Sequence, residues 1–82
     1  MEKHKILALA VNHRSKQIDR VQDLFTEYGC NIKARIGLHE AGDVCSEEGL
    51  IILQLVSGKN NLDSFMNELN AIEGVRTKYI EL

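Results

Sequence analysis

Residues 49–57 read GLIILQLVS, and from Leu50 to Val56 only Gln54 interrupts the apolar run. A run of this length is strand-sized, and its lack of alternation predicts a strand covered on both faces. Downstream, Gly58 to Asn61 reads as a turn, with Asn60 or Asn61 capping a helix. Leu62, Phe65, Met66, Leu69 and Ile72 recur at helical spacing, and Gly74 ends the helix. Val75 to Leu82 completes this unit as a strand, with Arg76 and Lys78 on one face and Val75, Thr77 and Tyr79 on the other.

Upstream the same unit occurs once more. Residues 3–12, KHKILALAVN, hold a second continuous apolar run from Ile6 to Val11. Ser15, or Asn12 before it, is a candidate helix N-cap. Ile18, Val21, Leu24, Phe25 and Tyr28 form the helix stripe, and Gly29 is expected to end the helix in the left-handed conformation. In residues 30–40, CNIKARIGLHE, the pattern changes to a period of two. Ile32, Ala34, Ile36 and Leu38 alternate with Lys33, Arg35, Gly37 and His39, which predicts an edge strand with a core face and a charged face. Ala41 to Gly49 is left as a loop, with Glu40, Asp43, Glu47 and Glu48 at or beside it, and its length favours a functional role.

The order is β-α-β-β-α-β, the split arrangement of ferredoxin-like folds: α+β, with an antiparallel four-stranded sheet and two helices on one face. All 82 residues are expected to form a single domain, 1–82. A net charge of −2 with both signs interspersed gives no footprint for direct nucleic-acid binding. The six-residue run at Ile6 to Val11 is too short for a membrane span or a signal-peptide core, and the two cysteines read as reduced thiols. A cytoplasmic protein without membrane association is the expectation.

In the ferredoxin-like order the first and third strands are central, yet neither alternates. Ile6, Ala8 and Ala10 are apolar, and so are Leu7, Leu9 and Val11. Helices on one face leave the other uncovered, and contiguous exposed apolar area marks a partner site. Hiding several hundred Å2 of it contributes about 10 kcal/mol before the costs of association. A homo-oligomer formed through the open sheet face is therefore expected.

Residues 24–32, LFTEYGCNI, resemble the ACT-domain signature, in which the first helix ends in an F-x-x-x-G-x-N-I run into the second strand. Asn12-His13-Arg14 lies where ACT domains carry an Asp/Asn-Arg-Pro-Gly turn, although Ser15 and Lys16 replace the Pro and Gly. In amino-acid-binding members this turn holds the ligand carboxylate at a helix N-terminus, so the resemblance implies a ligand site at Asn12, His13, Arg14 and Ser15. Arg35-Ile36-Gly37, the strand from Gly49 to Val56 and Ile72-Glu73-Gly74-Val75-Arg76-Thr77-Lys78 are similar to the small ACT-like family of iron-only hydrogenase system regulators. That likeness implies a non-catalytic regulator, with a transcriptional role through a partner.

A rival reading rests on His39 and Cys45, six residues apart, with His13 or His4 approaching from elsewhere or from a second subunit. Nickel-responsive repressors place a His and a Cys similarly around this hairpin, which implies a divalent transition metal. The bland alternative makes His39 part of the strand's polar face and Cys45 an ordinary thiol. No C-x-x-C is present, the glycines of an acylphosphatase loop are missing around Arg14, and sheet aromatics for RNA stacking are lacking. The sequence supports a regulatory or sensor domain that binds a small molecule, with a metal module or a plain oligomerisation module as alternatives.

Overall fold

In a computed structural model the described residues are 3–12, 14–38, 48–56 and 62–82. Four strands and two helices alternate as expected: β1 (Lys5–Asn12), α1 (Ile18–Glu27), β2 (Ile32–Leu38), β3 (Glu48–Leu55), α2 (Leu62–Asn70) and β4 (Val75–Glu81). The strands form one antiparallel sheet in the order β2-β3-β1-β4, so the two continuous apolar runs are the central strands. This is the ferredoxin-like arrangement.

One layer of core lies between sheet and helices. Leu7, Leu9 and Val11 of β1 and Leu53 and Leu55 of β3 meet Val21, Leu24 and Phe25 of α1, Phe65 and Leu69 of α2, and then Ile72 and Val75. Phe65 sits at its centre, stacked on Tyr28 at 4.7 Å and edge-on to Phe25 at 6.4 Å. Both helix stripes predicted from 3.6-residue spacing supply this layer.

Three local expectations change. Ser15 does not sit at the helix start: α1 begins at Ile18, and Ser15 Oγ instead accepts the Gln17 N–H at 3.1 Å. Gly29 does not adopt the left-handed conformation, because the chain tightens into a 3-10 turn over Gly29–Asn31, with the Asn31 N–H donating to the Tyr28 carbonyl at 2.8 Å. Among the described residues only Gly74 has a positive φ, at 81°.

The third change has the largest consequence. Ile32 pairs with Leu55 but Ala34 pairs with Gln54, so Lys33 is an extra residue, a β-bulge. Beyond it the faces of β2 are exchanged. Ile32 packs on the core, whereas Ile36 pairs with Ile52 on the helix-free face and is 57% exposed. Arg35 takes the helix side, its guanidinium carbon 4.9 Å from the centre of the Phe25 ring. A period of two predicts faces only while the ladder keeps its register.

Candidate functional site

Two features merit consideration as functional: the turn between β1 and α1, and the sheet face that no helix covers.

At the turn, Asn12 Oδ1 accepts the Arg14 N–H at 2.9 Å, and the Asn12 carbonyl accepts the Ser15 N–H at 3.0 Å. The side chain bridging its own backbone two residues on is an Asx turn. Ser15 Oγ holds Gln17 as described, and Gln17 Oε1 accepts the Glu73 N–H at 2.9 Å. The turn is thereby tied to the one that precedes β4, where the Asn12 N–H donates to the Gly74 carbonyl at 2.8 Å. A Cβ on Gly74 would lie 3.0 Å from Asn12 Cβ and 3.3 Å from Ser15 Cβ, so glycine is required by space as well as by φ.

The structure thus brings Asn12, Arg14 and Ser15 together at one end of the sheet and engages the polar atoms of Asn12 and Ser15 with the chain's own backbone. Beside them Glu48 opens β3 opposite Asn12 and accepts a hydrogen bond from Arg76 at 2.6 Å. Thus one end of the sheet carries the turn, a carboxylate and a guanidinium. His13, the fourth member of the predicted turn site, lies outside the described residues, as do His39 and Cys45 of the predicted metal site. Among the described residues no group of three or more His, Cys, Asp and Glu side chains could hold a metal ion.

On the other side of the molecule, between the helices, Arg20 reaches Glu27 at 3.8 Å and Glu68 at 3.7 Å, and the Tyr28 hydroxyl donates to Glu68 at 2.5 Å. That bond to Glu68, with partial burial, raises the Tyr28 pKa to about 12. Arg20 and Glu68 border an open groove with Gln17, Ala71 and Ile72, and their pairing makes it a structural brace between α1 and α2.

The helix-free face can be read from the registers row by row, since antiparallel partners share a face. Ala34, Gln54, Ile6 and Ile80 form one row, followed by Ile36, Ile52, Ala8 and Lys78. Leu50, Ala10 and Arg76 belong to the next, and Glu48 and Asn12 to the last. Ile36, Leu50 and Ile80 are 57%, 41% and 46% exposed. The middle rows of the face are apolar across β2, β3 and β1; Gln54 and Glu48 bound them on β3, and the cations Lys78 and Arg76 belong to β4, with Arg76 reaching across β1 to Glu48. The apolar central strands revealed the face in the sequence. The contribution of β2 was hidden, because no residue type at Lys33 announces a bulge.

Nothing in the described residues forms a helix long and apolar enough to cross a membrane. No protein-family model matches the chain, and no curated protein sequence matches it. Among solved structures, an uncharacterized protein from Thermotoga maritima is similar over 99% of both chains, with 29% identity and a TM-score of 0.80. An ACT domain protein from Streptococcus pneumoniae is similar over 99% of this chain and 91% of its own, with 18% identity and a TM-score of 0.58. The four-stranded antiparallel sheet, its two helices and this second likeness together establish an ACT-like, ferredoxin-like βαββαβ fold.

Proposed function

We propose that the protein is a non-catalytic regulatory or sensor domain of the ACT type, working as a homo-oligomer joined through its helix-free sheet face. The observation that carries this reading is that face. Ile6, Ala8, Ala10, Ile36, Leu50 and Ile52 leave water only if another surface covers them, and a chain of this size gains substantial stability by association.

The ligand in this reading is a small molecule bearing a carboxylate, such as an amino acid, bound at the turn of Asn12, His13, Arg14 and Ser15. Arg14 and the N-terminal turn of α1 supply positive potential there. Ligand binding reorganises the Asn12 and Ser15 hydrogen bonds, and the subunit contact on the open face, reached through the strand that ends at Asn12, senses the change. Regulation of a hydrogenase system, or of transcription through a DNA-binding partner, is the finer role suggested by the sequence likeness of residues 35–37, 49–56 and 72–78. The protein itself does not contact nucleic acid in this reading, and it acts in the cytoplasm.

A thermal-shift screen of the purified protein against amino acids and divalent metals tests the ligand. A stabilising amino acid whose effect disappears in Arg14→Ala supports the reading, because a ligand that prefers the folded state raises the melting temperature by mass action. Stabilisation by nickel or zinc alone, abolished by Cys45→Ala, would instead establish the metal module of His39, Cys45 and His13. Absence of any shift leaves the oligomerisation module.

A further inference from the structure

The face rows contain a size pattern that no single copy uses. Next to the wide side chains of Ile52 and Leu50 on β3, β1 presents only Ala8 and Ala10, which leaves a trough along β1. On the opposite flank of β3, Ile36 stands proud on β2. Ridge and trough therefore lie on either side of β3, at the same height along it, because Ile36 and Ala8 both pair with Ile52.

We infer that a second copy of this chain docks on the open face about a two-fold axis that runs along β3, so that Ile36 of each copy enters the Ala8–Ala10 trough of the other. This deepens the homo-oligomer reading proposed above and rests on it. Rotation about an axis parallel to β3 exchanges its two flanks without changing height. It sets Ile52 and Leu50 of β3 against their own copies and, on the flanks, β2 against β1, where a large side chain meets a small one. Two sheets stacked this way fall within the aligned class of sheet packing.

Charge eliminates the other simple arrangements. An axis across the strands would stack β4 on β4, bringing the Arg76 and Lys78 cations of the two copies together, and would stack β2 on β2, ridge side against ridge side. An axis along β1 would cover Ile52 and Leu50 with Lys78 and Arg76 and desolvate both cations. The axis along β3 leaves Lys78 outside the contact, in water, while Arg76 reaches across β1 to Glu48 on β3, so that this ion pair, neutral in sum, borders one end of the contact. Three strands of about six residues give a footprint of about 300 Å2 per copy. Side-chain relief brings the total for two copies to the order of 1,000 Å2, the lower bound for a specific interface.

Sedimentation equilibrium of the full chain, with circular dichroism to confirm folding, tests the geometry. Ala8→Leu fills the trough and Ile36→Ala removes the ridge. Each change occurs twice per dimer and is expected to raise the dimer dissociation constant at least about tenfold. Combining Ala8→Leu with Ile36→Ala restores size complementarity and recovers much of the loss, a coupling that independent surface sites do not show. Lys78→Ala leaves the constant unchanged. All of these side chains face away from the core, so the fold is expected to survive. A dimer indifferent to Ala8→Leu and Ile36→Ala, or one strongly weakened by Lys78→Ala, overturns this geometry while the homo-oligomer reading stands. A wild-type chain that sediments as a monomer overturns both.

Discussion

Phe65 is the residue on which the single-copy fold depends most. It touches both aromatic side chains of α1 and its C-terminal turn, and it lies between the helices and the sheet. Phe65→Ala removes that contact and leaves a cavity, at a cost of about 3–5 kcal/mol. A domain of this size has roughly 4–12 kcal/mol in all. Urea denaturation is expected to show a large fall in the midpoint, and a change below about 1 kcal/mol would mean that the helices do not close on the sheet as described. Gly74→Ala acts differently, through backbone strain at φ 81° and the crowding against Asn12 and Ser15. It is expected to cost about 1–3 kcal/mol, read in the same assay. Tyr28 and Tyr79 give the pH prediction. The bond to Glu68 raises the first to about 12, and burial together with the bond to Glu81 raises the second to about 12. Between the unfolded value of 10.0 and about 12 the unfolded chain loses tyrosine protons that the folded chain keeps. Stability from these groups is therefore complete below pH 10 and is lost as pH rises through about 12. An ultraviolet titration should show both tyrosines ionising late, and Tyr28→Phe should flatten the alkaline part of the stability profile.

At the scale of elements, β2 shows best what the sequence does and does not encode. The central strands and both helix stripes were legible, because long runs and helical spacing survive small changes of register. The faces of β2 were not. One extra residue at Lys33 exchanges them, sending Ile36 to the open face and Arg35 to Phe25, although Lys33 differs in no visible way from its neighbours. Arg35→Ala is expected to cost about 0.5–1 kcal/mol of stability in urea denaturation, the size of an exposed cation–π contact. A loss of nothing would mean that the guanidinium does not rest on the ring. Helix ends were misplaced for a related reason. Ser15 and Gly29 have the chemistry of caps, but a serine that bonds Gln17 and a glycine in a 3-10 turn satisfy the same backbone groups in another way. Of the predicted site, the turn at Asn12 was legible as a turn. Its closure onto Gln17, Glu73 and Gly74 was not, because those partners are distant in sequence.

For the whole molecule, the decisive property is that one copy completes only one side of its sheet. Leu7, Leu9 and Leu53 are sealed by the helices, while Ile6, Ala8 and Ile52, alternating with them, are not. In the proposed function the ligand turn and the subunit contact share a strand, since Asn12 ends the strand that carries Ala8 and Ala10. Ile52→Lys places a charge at the centre of the proposed contact and leaves the core untouched. Sedimentation equilibrium at micromolar concentration, comparing wild type with Ile52→Lys, is therefore the most direct measurement. The account predicts a wild-type dimer or higher assembly and a folded, monomeric variant; a wild-type monomer, or an assembly unmoved by the lysine, would contradict it.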